Sequence, residues 1–120
     1  MRRAPKAPPR LRDSGLRWVV ATAAYYGGHG FHVLDSERTL SGVQQWDIVI
    51  PDWYFWFEAT EDHPGCAFWR ELKVERMNPR PQQRVIIASL RAAGEDVEVW
   101  RPSNELAIIE TFRRAAGLIH

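Results

Sequence analysis

At 120 residues and 45% hydrophobic content, the chain has enough material for one domain with a core and too little for two. No apolar run approaches the length that spans a bilayer, and no apolar segment follows the basic N-terminus as a secretion signal would require, so no membrane partner is expected. The single cysteine, Cys66, cannot form an internal disulfide, which points to a reducing cytoplasm, and a net charge of +1 excludes a general polycation.

The charge is unevenly spread. Residues 1–17 hold Arg2, Arg3, Lys6, Arg10, Arg12 and Arg17 against Asp13 alone, a net of +5 that leaves −4 for residues 18–120. Pro5, Pro8 and Pro9 oppose helix, and there is little to bury, so residues 1–12 read as a flexible basic arm. Its cations, Arg2, Arg3, Lys6, Arg10 and Arg12, suit contact with nucleic-acid phosphates; the alternative is a solvated tail. Residues 13–120 form the single domain.

Asp13 or Ser14 can cap a helix from about residue 15 to 26, with Leu16, Val19, Val20 and Ala23 on one stripe. Gly27, Gly28 and Gly30 break it, and residues 31–34 read as a first strand. A polar loop over residues 35–42 precedes an apolar strand, residues 46–50, in which Asp47 stands near the start. Pro51-Asp52 reads as a turn. The strand Trp53-Tyr54-Phe55-Trp56-Phe57 is bulky on both faces. It reads as a doubly covered strand or a homodimer contact anchored on Trp56; stacking of unpaired bases is the functional alternative. A second turn, residues 61–65, leads to a strand over residues 67–74, and strands 46–50, 53–59 and 67–74 would form an antiparallel meander.

In that last strand Glu71 and Lys73 share a face, with Leu72 on the other. Charge beside bulky apolar neighbours has to be paired or bound to metal. A carboxylate beside an ammonium at the end of an apolar strand, with Asp47 opening a neighbouring strand, suits a site that holds Mg²⁺ and polarises a water. The bland alternative is a surface ion pair of Glu71 with Lys73, which contributes little. Downstream, Gln82 or Gln83 opens a helix to about Ala93, Gly94 closes it, Val97 and Val99 make a short strand, and Trp100-Arg101-Pro102 follows. Ser103 would cap a last helix with Leu106, Ile109 and Phe112 on one face. The order predicts an α/β fold, a central mixed sheet flanked by helices.

Asp47 with Glu71-Leu72-Lys73, the helix-opening Gln83, Gly94 and Trp100-Arg101-Pro102 together resemble the VRR-NUC family of the PD-(D/E)XK nucleases, in its small stand-alone phage form. The stretch from His32 to Ser36 is similar as well, and the likeness runs from about Leu16 to Pro102. It implies a restriction-endonuclease-like core and a DNA endonuclease, structure-specific for branched or four-way DNA and acting as a homodimer. Asp47, Glu71 and the Leu72 carbonyl would hold Mg²⁺ or Mn²⁺, since hard ions take oxygen ligands. Lys73 would orient water or stabilise the transition state, Gln83 would position water or phosphate, and His32 could touch the scissile phosphate. In a phage setting the location is the host cytoplasm. One departure stands out: the family has Pro before its metal-binding Asp, and Trp46 precedes Asp47. An acidic residue of the first helix often joins the site, and only Asp13 is on offer. The competing class is a DNA-binding module that keeps the fold without catalysis. His29, His32, His63 and Cys66 have spacings that also admit zinc.

Overall fold

The computed structural model describes residues 17–33 and 51–120. Helix α1 spans Arg17–Tyr25 and is followed by strand β1, His29–His32. Strands β2, Trp53–Phe57, and β3, Cys66–Leu72, come next. Helix α2, Pro81–Ala92, leads to strand β4, Val97–Trp100. A 3₁₀ turn over Pro102–Asn104 then runs into helix α3, Glu105–Ala115.

The four strands lie in chain order in one mixed sheet. The β1–β2 and β2–β3 pairs are antiparallel, whereas β3 and β4 are parallel. Parallel neighbours need a crossover, and α2 is that crossover. The α/β expectation with a mixed sheet is therefore met. The meander is built from β1, β2 and β3; the expected strand over residues 46–50, with Asp47, lies outside the described residues. Strand β1 begins at His29, two residues earlier than the glycine run suggests. Gly28 is buried with the Phe57 ring directly against it, so a β-carbon there would collide with the ring.

Residues paired across strands share a face, which sorts every side chain of the sheet. Phe55, Phe57, Phe68 and Trp100 fall on one face and are buried. Trp18, Val19 and Ala23 of α1 and Ile108, Phe112 and Ala115 of α3 complete this core. Phe112 stands at its centre, 5.3 Å from the Phe55 ring and 5.4 Å from Trp100 between centroids. The buried stripe of α3 is thus Ile108, Phe112 and Ala115, and Leu106 is 77% exposed, contrary to the stripe expected through Leu106 and Ile109. The frame shifts because the chain first makes the 3₁₀ turn. Its opening is capped by Asn104, whose Oδ1 accepts from the Arg101 N–H at 2.8 Å; Ser103 is no helix cap and donates its own N–H to Glu75 at 2.6 Å.

One core residue is charged. Arg70 is only 3% exposed, with its guanidinium 4.4 Å above the Phe68 ring and 4.6 Å above Trp100. Its Nη1 donates to the Trp69 carbonyl at 2.7 Å and to Asp96 Oδ1 at 2.8 Å. Burial pushes the guanidinium pKa down, and the hydrogen bond and charge of Asp96 oppose that shift. Asp96→Ala should therefore cost about 2–3 kcal/mol, the range for a hydrogen bond to a charged group, in urea unfolding followed by circular dichroism. An unchanged midpoint would mean that the aromatic faces and the backbone carbonyls hold the cation without the Asp96 side chain.

Among the described residues, the opposite face is covered on one side only. Helix α2 lies against β4 and buries Ile87 and Gln83. We call this the open face, because Phe31 on it is 58% exposed.

Candidate functional site

The site forms where β3 ends. Glu71 lies opposite Val99 and Leu72 opposite Trp100, which places Glu71 on the open face and Leu72 on the core side. Asp52 immediately precedes β2. Extending the Trp53–Arg70 pairing by one residue sets Asp52 opposite Glu71, on the same face. The Leu72 N–H donates to Asp52 Oδ1 at 3.0 Å, and the Asp52 carbonyl accepts from the Val33 N–H at 2.8 Å. One bond ties the carboxylate to β3, and the other ties the Asp52 backbone to the residue after β1.

Glu71 is buried and its Oε2 receives two donors. Lys73 Nζ lies 3.3 Å away, and Gln83 Nε2 donates from 3.1 Å. Gln83 Oε1 accepts the Arg80 N–H at 2.7 Å, so one buried amide ties the start of α2 to Glu71. Neither contact uses Glu71 Oε1.

Two acids and one ammonium in a partly dry corner are electrostatically unbalanced. Burial, then the charge of Glu71, pushes the Asp52 pKa up to about 7, against the hydrogen bond from Leu72 and the charge of Lys73. A carboxylate whose ionisation is resisted by burial and by a neighbouring carboxylate is a fit for a hard cation, which relieves both costs.

Of the residues singled out from sequence, Glu71, Lys73 and Gln83 come together. Asp47, Asp13, and Arg2, Arg3, Lys6, Arg10 and Arg12 of the arm lie outside the described residues. His32 does not join the site: it pairs with Trp53 on the core side of the sheet and stacks on that ring at 4.8 Å, whereas Glu71 is on the open face. His29 pairs with Trp56 on the open face, so His29 and His32 project to opposite sides and cannot share one zinc. His29 Nε2 instead meets Glu58 at 2.8 Å, and Cys66 sits beside the Ala115 carbonyl. Among the described residues no group of three or more His, Cys, Asp and Glu converges.

The residue that sequence reading passed over is Asp52. Its signal was in plain view, a Pro51-Asp52 dipeptide at the start of a strand. The Trp100-Arg101-Pro102 run also acquires a physical reading. Trp100 fills the core, Arg101 Nη2 donates to the Met77 carbonyl at 2.8 Å and to Asn78 Oδ1 at 3.2 Å, and Pro102 starts the 3₁₀ turn. The connection from β3 to α2 is thus pinned by the segment after β4.

No family model, curated protein or solved structure matches the chain.

Proposed function

We propose that the chain is a divalent-metal-dependent DNA endonuclease, with Asp52 and Glu71 as its metal-binding carboxylates. The observation that carries this reading is the placement of Asp52, Glu71 and Lys73 on one face at adjoining strand ends, with Gln83 holding Glu71. The helix, three strands, helix, strand order around a mixed sheet supports a restriction-endonuclease-like core. In that frame Pro51-Asp52 stands where the VRR-NUC pattern has its Pro-Asp, and the mismatch at Trp46-Asp47 no longer needs explaining.

Asp52 Oδ2 and Glu71 Oε1 are not the oxygens that Leu72, Lys73 and Gln83 engage, and they would hold Mg²⁺ or Mn²⁺. In a strand the N–H and C=O of one residue leave by the same edge, so the Leu72 carbonyl faces the Asp52 side and can serve as a third oxygen. The ion supplies Lewis acidity to water and to a phosphate oxygen. Lys73 keeps one donor on Glu71 and has two more for the attacking water or a phosphate oxygen. Both ends of the Gln83 amide are engaged, so it positions Glu71 and does not reach the phosphate. Gln83→Leu should lower cleavage about 10–100-fold and weaken metal binding in parallel, as loss of a supporting hydrogen bond to a metal ligand does. A fall in cleavage with metal affinity intact would place Gln83 on the substrate instead.

The test is a panel of labelled linear, flap, fork and four-way DNA with Mg²⁺, Mn²⁺ or EDTA. Cleavage of at least one substrate with metal and none in EDTA is expected. Robust cutting in EDTA overturns the reading, and tight binding with no cutting in either metal favours a non-catalytic DNA-binding module.

A further inference from the structure

The open face carries its aromatic side chains in rows. Beside the Asp52–Glu71 pair, the next row across the sheet is Phe31, Tyr54 and Trp69, and the row after that is His29, Trp56 and Ala67. Two residues of strand separate one row from the next, about 6.6 Å. The rings form a continuous surface: Tyr54 and Trp69 are 4.6 Å apart between centroids, Tyr54 and Trp56 6.0 Å, and His29 and Trp56 5.1 Å. Two of them are locked from the edge, Trp69 by its Nε1 donating to Glu95 at 3.2 Å and His29 by Glu58. A ring already fixed in place loses little freedom when something stacks on it.

We infer that this surface is a stacking platform for the unpaired bases of a nucleic-acid strand that continues from the Asp52–Glu71 pair along β2. The inference rests on the nuclease reading and names the substrate feature it would recognise, a single-stranded segment next to the cut. Three arguments choose this occupant. The platform adjoins the carboxylate pair on the same two strands, so a strand leaving the site meets Tyr54 and Trp69 first and Trp56 next. Rings on an open sheet face stack two or three successive bases in other folds, whatever the base, because every base has a π-face. A second copy of the chain is the rival, and the surface is too small for it. Aromatic side chains offer ~150–250 Å² each, and Tyr54, Trp56 and Trp69 are half-buried, so the patch exposes on the order of 300 Å² against the ~800 Å² per partner of a stable interface.

Binding is measured on the full chain in EDTA, by anisotropy of a labelled oligothymidylate and of a blunt duplex of equal length. Trp56→Leu and Tyr54→Leu should each weaken single-strand binding about tenfold and leave duplex binding unchanged. Folded variants that bind the single strand as the parent does overturn the inference. So does a Trp56→Leu variant whose mass by light scattering falls to half with single-strand affinity intact, since a second copy then covers the face. Should these variants fail to fold, the unaltered protein can be cross-linked under ultraviolet light to an oligonucleotide carrying 5-iododeoxyuridine. Adducts on Tyr54, Trp56 or Trp69 support the platform, and adducts confined to other residues overturn it. The two readings fail separately: ring-dependent binding without metal-dependent cutting leaves the platform standing, and cutting without ring dependence leaves only the nuclease.

Discussion

Asp52→Asn is expected to reduce metal-dependent cleavage at least about a thousandfold, the loss that follows when a preorganised electrostatic element of a site is removed. Asn keeps the Oδ1 that accepts the Leu72 N–H, so the strand end is undisturbed. What disappears is one of the two anionic charges that would face the metal, and among the described residues no third acidic group converges there to replace it. The matched control is Asp47→Asn, measured in the same assay. Retained cleavage in that variant with loss in Asp52→Asn assigns the ligand to Asp52. The opposite result returns the role to Asp47, and the Pro51-Asp52 corner then serves only the strand end.

The same substitution should make the metal-free protein more stable, and the gain should depend on pH. The folded-state pKa of Asp52 is raised from 3.8 to about 7, so the native state holds the proton that the unfolded chain gives up. Between those values the native state binds more protons, and stability falls as pH rises through the window, levelling off above about 7. Asn has no proton to hold. Its advantage is near zero at the lower end and reaches on the order of 4 kcal/mol above the upper end, or on the order of 15 °C in Tm for a domain of this size. Thermal unfolding at several pH values in EDTA reads this directly. A constant difference between the two proteins across that range would show that Asp52 is not strained by burial and by Glu71. Addition of Mg²⁺ near pH 8 should raise the Tm of the parent and leave the variant unmoved, because only the parent has the charge to bind it.

Most of the architecture was legible because it is written in periodicity. The apolar spacing of α1, the breaking glycines after it, the helix ending at Gly94 and the alternation in β3 all predict the elements found. Glu71 and Lys73 were legible for the same reason, since a strand residue and its neighbour two places on must share a face, whereas Gln83 entered through the family resemblance. Asp52 was hidden by competing chemistry. Pro-Asp is also a turn signature, while Asp47 precedes three apolar residues and so looks like the head of a strand. Only pairing across the sheet reveals that Asp52 stands beside Glu71. Arg70 was illegible in another way. A cation within an alternating strand reads as solvent-facing, and nothing local shows that Phe68 and Trp100 sandwich it. The aromatic strand β2 was half legible: one face is core, as a doubly covered strand would have it, and the other is the half-buried platform.

The position of β3 within the sheet has a consequence for how the site responds to thermal fluctuation. That strand is hydrogen-bonded on both sides, antiparallel to β2 and parallel to β4, so its inner amides are expected to be among the last to exchange with solvent. Asp52, by contrast, sits at a bend beyond the last ladder pair of β2, where local fraying is cheapest. The two carboxylates therefore belong to different levels of the opening hierarchy. Deuterium uptake should be slowest at Phe68 through Glu71 and early at the Leu72 amide, whose acceptor is the Asp52 side chain. The pair is therefore held unevenly: Glu71 is as firm as the middle of the sheet, while the contact between Asp52 and the Leu72 amide opens before the rest of β3 does.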